Sequence, residues 1–144
     1  MVRVQIFKTI DAPQDKIFSI ITDFERLPSR LPDRYKSLQV LERTGNNIVT
    51  VKETIVYAGR EIHQITRHEI DPSRRLRSEV IEGDTKGTVV EITFEPDDAG
   101  GTTTRVSVDL DLKLGKLGSV LGVFAKGRIK GGLERMMAQF CNAV

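Results

Sequence analysis

Three side chains in the middle of the sequence belong to types that donate and accept protons in enzymes: Glu53, Tyr57 and His68. On one surface of a folded chain, a carboxyl, a phenol and an imidazole could transfer protons to and from a bound molecule. Each also has an ordinary structural explanation. A cross-strand hydrogen bond accounts for Glu53, a position beside a turn accounts for Tyr57, and burial near a strand end accounts for His68.

Other reactive residues give weaker signals. His63 and His68 are five residues apart, so on one strand they point to opposite faces and cannot hold one metal ion. Cys141 has no activating partner in the sequence and is interpreted as a small hydrophobic residue. Asp109 and Asp111 share a face of the last predicted strand, where we expect them outside and paired with Lys or Arg of a neighbouring strand. No metal site and no cofactor are predicted, since no phosphate-binding loop or dinucleotide fingerprint occurs.

Size and composition limit the classes of protein. We expect one domain with one core spanning residues 1–144. The 22 basic and 20 acidic residues leave a net charge of +2, and the six phenylalanines and two tyrosines form no stacking array, so nucleic-acid binding is disfavoured. A single cysteine excludes an internal disulfide. With no secretion signal and no run of about 18 apolar residues, a soluble cytoplasmic protein is predicted.

The element order follows from hydrophobic period and turn residues. Residues 2–10 alternate apolar and polar side chains and predict a strand, and residues 13–23 predict a helix with Pro13 in its first turn. Residues 24–27 predict a second short helix that Pro28 and Pro32 end. Six strands are predicted between about residues 36 and 114, with turns at 44–47, 58–59, 71–75, 82–87 and 96–101. Apolar residues at helical spacing from Lys116 onward predict one long closing helix.

This order predicts an α+β fold, in which a curved seven-stranded antiparallel sheet wraps around a long C-terminal helix. The two short helices follow the first strand. A curved sheet cannot bury its concave face against itself, so the last helix must cover that face.

Four sequence features, taken in order, resemble the START-like polyketide cyclase/dehydrase and lipid-transport superfamily (SRPBCC). They are the strand, Ala-Pro, helix and Asp-Phe-Glu-x-Leu-Pro series in residues 2–28, the Asp-Pro-x-Arg-x-Leu turn at 71–76, the Gly-Gly-Thr sequence at 100–102, and the Gly-, Leu- and Lys-rich start of the last helix. The resemblance covers essentially the whole chain. It implies a helix-grip fold with a cavity between sheet and helix, usually for an apolar small molecule, and places residues 27–32 near the cavity mouth. It implies no reaction, because members include binders, carriers and enzymes.

Strand register decides which side chains face such a cavity. If Ala58-Gly59 is a two-residue hairpin turn, the cross-strand partners are Tyr57 with Arg60, Ile55 with Ile62, Glu53 with Gln64, Val51 with Thr66 and Val49 with His68. This face is less charged than its opposite and is expected to point inward. The same alternation directs inward Leu76, Ser78, Val80 and Glu82, then Thr88, Val90, Ile92 and Phe94, then Val106, Val108, Leu110, Leu112 and Leu114.

The predicted ligand-binding residues are mostly aliphatic, with a few polar groups among them, as in many small-molecule sites. On the strands they are Val51, Glu53, Ile55, Tyr57, Ile62, Gln64, Thr66, His68, Ser78, Val80, Val90, Ile92, Phe94, Val108, Leu110 and Leu112. Leu27 and Leu31 are predicted at the cavity mouth, and Leu121 and Phe124 on the last helix.

Residues 113–132 combine several glycines with lysine and arginine residues and contain no acidic residue. Glycine costs about 1 kcal/mol against alanine in a helix interior, so a soft or bent start of the last helix is predicted. One interpretation is a gate, or a transient contact of residues 113–130 with an anionic membrane surface. The other is that the glycines permit close packing beside solvated lysines. Glycines spaced four apart also allow helix contact in a dimer, so monomer and homodimer both stay open.

Three functions follow from these observations. The first, which we favour, is a non-catalytic binder or carrier of a lipid-like, quinone-like or polyketide-like molecule, since no acid–base constellation is evident. The second is a cyclase, dehydratase or hydrolase that acts on such a molecule through Glu53, Tyr57 or His68. The third is a protein-binding regulatory module that uses the outer sheet or the basic helix.

Overall fold

The chain forms a strand, two short helices, six more strands and a long helix, which confirms the predicted order. The computed structural model describes residues 2–57, 59–113 and 126–143. The elements are β1 (Val2–Ile10), α1 (Gln14–Ile21), a 3-10 turn (Phe24–Arg26), α2 (Leu27–Arg30), β2 (Tyr35–Thr44), β3 (Ile48–Tyr57), β4 (Arg60–Asp71), β5 (Arg75–Gly83), β6 (Val89–Pro96), β7 (Thr104–Leu112) and α3 (Lys126–Ala143). The predicted first half of the last helix, with Leu121 and Phe124, lies outside the described residues, as does Leu114.

All seven strands belong to one antiparallel sheet, in the order β1-β7-β6-β5-β4-β3-β2. Five pairs of neighbours are consecutive in the chain and are joined by short turns. The sixth pair joins the first strand to the last, because Val4 of β1 lies beside Leu110 of β7 and Ile6 beside Val108. The curved sheet and α3 together make a helix-grip fold of the α+β class, as predicted.

The hairpin between β3 and β4 has the predicted register. Tyr57 pairs with Arg60, and the pairing continues without a shift as far as Ile48 and Glu69. Because successive side chains alternate between faces, the concave face buries Glu53, Thr66 and His68. The exposed side chains of Lys52, Glu61 and His63 lie on the convex face.

The alternation breaks on β5. Thr66 pairs with Val80, but Ile65 pairs with Glu82, so Ile81 is an additional residue in a β-bulge. A bulge reverses the faces of the residues beyond it. Glu82 was predicted to face inward and is instead exposed, because the sequence pattern does not reveal the additional residue.

α1 forms because its apolar side chains recur at helical spacing. Pro13 precedes the helix in an extended conformation, with φ −64° and ψ 152°. The buried residues of α1 are Ile17, Phe18, Ile20 and Ile21. The side chain of Gln14 donates from Nε2 to the carbonyl oxygen of Phe94 at 3.0 Å, which ties the start of α1 to β6.

The sequence predicts that a short helix ends at Pro28, but in the structure α2 begins at Leu27. The 3-10 turn is followed directly by α2, which has Pro28 in its first turn. Proline is tolerated there because the first N–H groups of a helix have no acceptor within the helix. The prediction that Pro28 ends a helix is therefore wrong. α2 ends at Arg30, and Leu31 and Pro32 lead towards β2.

Packed side chains fill the end of the concave face beneath α1. The ring of Phe18 meets the ring of Phe94 edge to face, with centroids 5.4 Å apart and planes at 79°. The buried hydroxyl of Thr104 donates to the carbonyl oxygen of Ala12 at 2.8 Å, which fixes the segment before α1 against β7. This end of the fold is therefore a solid core.

α3 covers the remainder of the concave face. It packs against β1 and α1 and buries Ile129, Met137 and Phe140. Arg128 and Lys130, on the same helix, are exposed. Within the described part of the chain, no helix is both long enough and apolar enough to cross a lipid bilayer.

Gly83, at the end of β5, offers a test of this close packing. Its φ is +117°, and an ideal Cβ there would lie 2.2 Å from the carbonyl oxygen of His63. Gly101 also has a positive φ, of +68°, but a Cβ there would meet no atom within 4 Å. We expect Gly101→Ala to cost about 1 kcal/mol of unfolding free energy from backbone strain alone, and Gly83→Ala about 3 kcal/mol because the chain must also shift. Urea denaturation measures both values, and equal losses would contradict the packing described for β4 and β5.

Candidate functional site

A cavity of about 260 Å³ lies between the concave face of the sheet, the short helices and α3. Its walls are mostly aliphatic and aromatic side chains. A few polar side chains interrupt them, among which are Glu53, Gln64, Thr66, His68 and Ser78. Apolar walls with sparse polar groups are typical of sites that bind and orient small molecules.

Most of the predicted ligand-binding residues line this cavity. They are Leu27, Glu53, Ile55, Tyr57, Ile62, Gln64, Thr66, His68, Ser78, Val80, Val90, Ile92, Leu110 and Leu112. Leu76 and Thr88, also predicted to face inward, line it as well. Leu121 and Phe124 lie outside the described residues. The structure thus places these side chains around one space, and their role in binding stays a prediction.

Four predicted residues are buried away from the cavity: Leu31, Val51, Phe94 and Val108. The three strand residues, Val51, Phe94 and Val108, are on the expected face, but register fixes only the face of the sheet and not what lies above it. Phe94 contacts the ring of Phe18, so α1 occupies the space in front of it. Val51 is 0% exposed and belongs to the packed core. These four are corrected from predicted lining residues to core residues.

Sequence reasoning missed most lining residues that come from helices and loops, and also Tyr35 of β2 and Val56 of β3. Ile129, Leu133, Met136 and Phe140 of α3 face the cavity at intervals of four, three and four residues. That spacing is the signal of one helix face and was available in the sequence. The remaining missed residues are Ile21, Phe24, Arg34, Tyr35, Val56, Thr85 and Gly132. No sequence pattern indicates them, because tertiary packing brings them to the cavity.

Glu53 is the centre of a hydrogen-bonded group on β3 and β4. Its Oε1 accepts from Gln64 Nε2 at 2.7 Å and from Thr66 Oγ1 at 2.9 Å. Thr85 Oγ1 in turn donates to Gln64 Oε1 at 3.2 Å. The cross-strand hydrogen bond is therefore present, and Glu53 is buried, with 6% of its surface exposed.

Burial sets the protonation of the groups around Glu53. Loss of solvent raises the pKa of the Glu53 carboxyl, although the hydrogen bonds from Gln64 and Thr66 favour the charged form and oppose the rise. The pKa of Tyr35 is also raised, chiefly by burial and further by the nearby carboxyl of Glu53. The cavity therefore favours uncharged forms of both groups.

His68 lies against the 3-10 turn. Its ring stacks on Phe24 with centroids 4.3 Å apart and planes at 16°. Nδ1 is 2.6 Å from Ser78 Oγ, while Nε2 is buried and has no hydrogen-bond partner among the residues that the structure describes. Burial lowers the pKa of His68 to about 4, so the ring is neutral at pH 7. A bound molecule could satisfy the unpaired Nε2, as donor or acceptor according to the tautomer.

Tyr57 marks the end of the cavity nearest the turn between β3 and β4. Burial raises the pKa of its hydroxyl, while the positive charges of Arg128, Arg135 and Arg34 act in the opposite direction. Arg34 also donates from Nη2 to the carbonyl oxygen of Gly132 at 3.3 Å. Three basic side chains from two parts of the chain are therefore close to this end of the cavity.

The convex face carries the reactive residues that were predicted to be outside. Asp109 forms an ion pair with Arg3 of the neighbouring β1 at 3.2 Å, as expected. Asp111 is 3.7 Å from Lys113, which lies just beyond the end of β7, so this ion pair is not with a neighbouring strand as expected. His63 is exposed and contacts Thr54, so it lies on the face opposite to His68, as predicted.

The family described as polyketide cyclase/dehydrase and lipid transport matches residues 10–137. Among solved structures, TTHA0849 of Thermus thermophilus is 23% identical with a TM-score of 0.82, and the alignment covers 97% of this chain and 94% of that one. A START superfamily protein of Mycobacterium smegmatis is 21% identical with a TM-score of 0.82, covering 99% and 96%. The Streptomyces aromatase/cyclase Zhui is 18% identical with a TM-score of 0.74, covering 98% and 89%. At these identities the likeness shows the fold, and no curated protein matches the sequence.

The buried state of His68 predicts a pH dependence of stability. In the unfolded chain the imidazole binds a proton as the pH falls below about 6.5, whereas in the folded protein it does so only near pH 4. Stability is therefore lost as the pH falls through this window. Between pH 7 and pH 5, His68→Phe, which keeps a ring against Phe24, is expected to lose about 2 kcal/mol less unfolding free energy than the wild type loses. Urea denaturation at both pH values measures the unfolding free energy. The control variant His63→Phe, changed on the exposed face, should lose as much unfolding free energy as the wild type.

Glu53 predicts a pH dependence of opposite sign. Its carboxyl ionises above pH 4.5 in the unfolded chain but at higher pH in the folded protein, so the wild type loses stability as the pH rises through the folded pKa. Glu53→Gln removes the titrating group, and its stability relative to the wild type should increase between pH 5 and pH 8. Glu61→Gln, on the exposed face, is the control and should show no such increase. Equal pH profiles of Glu53→Gln and the wild type, in thermal or urea unfolding, would contradict the assigned burial of the carboxyl.

Proposed function

Because the chain belongs to the polyketide cyclase/dehydrase and lipid transport family, we propose that it binds a hydrophobic small molecule in the cavity between sheet and α3. The observation that carries the proposal is the cavity itself. Its volume of about 260 Å³ is near the lower end of small-molecule pockets, which span roughly 300–1,000 Å³. Lipid, quinone and polyketide molecules are the classes that this cavity would accept.

The polar groups of the cavity indicate what the ligand carries. His68 is neutral and offers one unpaired nitrogen, and the carboxyl of Glu53 is biased towards its uncharged form. Uncharged groups of this kind bind ketone and hydroxyl oxygens without the cost of burying a charge. The ligand is therefore an apolar molecule with one or a few neutral oxygens, held at Glu53 and His68 within the aliphatic walls.

An enzymatic role is the second candidate, and Glu53 is the residue that favours it. A carboxyl group whose pKa is raised by an apolar site retains its proton at higher pH and can give it to a ligand carbonyl or leaving hydroxyl. Glu53 would then be the acid of a cyclisation or dehydration. If the protein is an enzyme, Glu53→Gln should still bind the ligand but should no longer convert it. If the protein is a carrier, neither the wild type nor the variant converts the ligand.

The described surface gives less support to a protein-binding module. The large hydrophobic side chains that it exposes, Phe7 and Leu41, lie on β1 and β2, at opposite edges of the sheet. They form no common patch. Transient membrane contact through residues 113–130 stays a prediction; within that range, the structure shows Arg128 and Lys130 exposed.

A cavity-filling substitution tests the proposed function. Val90 lines the cavity, and its neighbour Val89 lies on the opposite face of β6 beside Asp111 and Glu79. Val90→Phe should raise the Kd of the fluorescent apolar probe N-phenyl-1-naphthylamine at least about tenfold by occupying its space. Val89→Phe adds the same side chain outside the cavity and should leave the Kd unchanged.

The same pair of variants identifies the natural ligand. Native mass spectrometry of protein purified from its source organism should show a bound small molecule, which Val90→Phe should lack and Val89→Phe should retain. Equal probe binding by both variants, with no molecule retained by the wild type, would contradict the proposal.

A further inference from the structure

A second recess adjoins the end of the cavity at Tyr57. It is bounded by the start of β2, the turn after β3 and one side of α3, and its polar residues are Asp33, Arg34, Arg135 and Gln139. Arg34 and Val56 line both the recess and the apolar cavity. The two spaces are therefore neighbours that share these two residues.

Two guanidinium groups lie close together where the recess meets the cavity, above Gly132, which lines the cavity. An ideal Cβ placed on Gly132 would be 3.9 Å from Arg34 Nη1 and 3.9 Å from Arg135 Nη2, so both groups lie above the same point of α3. Among the described residues, Arg34 donates one side-chain hydrogen bond, to the carbonyl oxygen of Gly132, out of the five N–H donors that a guanidinium carries. With respect to this part of the chain, its other donors can reach a ligand.

No carboxylate neutralises these charges in the described part of the chain. Neither Arg34 nor Arg135 has an ion pair within 4 Å among the described residues, even though Asp33 lines the same recess. By sequence, residues 114–125 contain no Asp or Glu. Arg128, whose charge acts on Tyr57 from the same side, adds to the positive potential. The recess therefore has an excess of positive charge beside an apolar cavity.

Gln139 adds a further unsatisfied group to the recess. Its Oε1 is buried and has no hydrogen-bond partner among the described residues. A rotation of the amide by 180° would turn its two N–H donors to that position. Guanidinium and amide groups that line one recess are donors of the kinds with which proteins bind carboxylate, sulfonate and phosphate oxygens.

We propose that this recess, formed by Arg34, Arg135 and Gln139, binds the oxyanion of an amphiphilic ligand whose apolar part occupies the cavity. The second half of this statement rests on the proposed function. The distribution of polar groups supports this proposal. The interior of the cavity has neutral partners at Glu53 and His68, and the positive charges lie at one end of the cavity. A free inorganic anion has the same chemistry and is the alternative source of the oxyanion.

Two fluorescent probes that differ by one sulfonate test the proposal. N-phenyl-1-naphthylamine is apolar and uncharged, and 1-anilinonaphthalene-8-sulfonate is the same ring system with an oxyanion. Arg34→Gln with Arg135→Gln should raise the Kd of the sulfonate probe about tenfold more than the Kd of the uncharged probe, which is the size expected for loss of charge-assisted hydrogen bonds; a smaller effect shared by both probes reflects the place of Arg34 on the cavity wall. A variant with Arg74→Gln and Arg105→Gln is the control. It removes the same charge near the opposite end of the sheet and should leave both Kd values as in the wild type.

Titration with inorganic phosphate distinguishes the two sources of the oxyanion. Displacement of the sulfonate probe but not of the uncharged probe shows that the recess also takes a free anion. If phosphate displaces neither probe, and the Arg34/Arg135 variant still binds the sulfonate probe more weakly than the wild type does, the recess takes an oxyanion only as part of an amphiphile. Both results support the proposal. Equal Kd changes for the two probes in the Arg34/Arg135 variant, or no change for either, would overturn it.

Failure of the proposed function gives a different result. If neither probe fluoresces with the wild type, the cavity does not admit an apolar molecule, and the recess is tested by phosphate alone. A phosphate-dependent rise in Tm of the wild type that is absent in the Arg34/Arg135 variant supports the oxyanion site. A rise of the same size in both proteins, or no rise in either, overturns it.

Discussion

The structure depends on one constraint, which is that a curved antiparallel sheet has an apolar concave face that it cannot cover by itself. Two elements cover it here. α1, with Phe18 against Phe94, fills one end with packed side chains, and α3 lies over the remainder with a single apolar face. The β-bulge at Ile81 increases the local twist of the sheet at the cavity side. The cavity is the part of the concave volume that neither helix fills, so its position follows from where α1 ends.

Such a cavity is a cost in stability that packing elsewhere has to offset. A buried polar atom without a partner costs about 1–3 kcal/mol, and Nε2 of His68 is one among the described residues. Its ring is nonetheless held firmly, since Phe24 stacks on it and Ser78 bonds its other nitrogen. An orientation fixed before a ligand arrives reduces the entropy lost on binding. Such a site lowers the stability of the empty protein and provides a hydrogen bond of defined direction when a ligand is bound.

Much of this arrangement could be predicted from the sequence, because one two-residue turn fixes the register of β3 and β4 along their whole length. Glu53, Thr66 and His68 followed from that turn alone. The same reasoning was wrong at Glu82, where the bulge adds a residue without a sequence signal. It could not separate lining residues from core residues such as Val51 and Phe94, since that depends on where a helix lies in space. Arg34 and Tyr35 reach the cavity only through tertiary packing, which no periodic pattern records.

The pairing of β1 with β7 has a consequence for how the chain is made. β2 to β7 are joined by short turns, so each strand meets its partner soon after both have left the ribosome. β1 emerges first, yet its partner follows roughly a hundred residues later, and until then the apolar side chains of Val4 and Ile6 have no sheet to join. The solid end of the core can therefore form only after β7 has been synthesised, and the cavity is covered only after α3, which follows β7 in the chain. β1 also contacts α3, which lies still further along the chain, so both partners of β1 are distant in sequence, and such contacts slow folding relative to the local hairpins of the other strands.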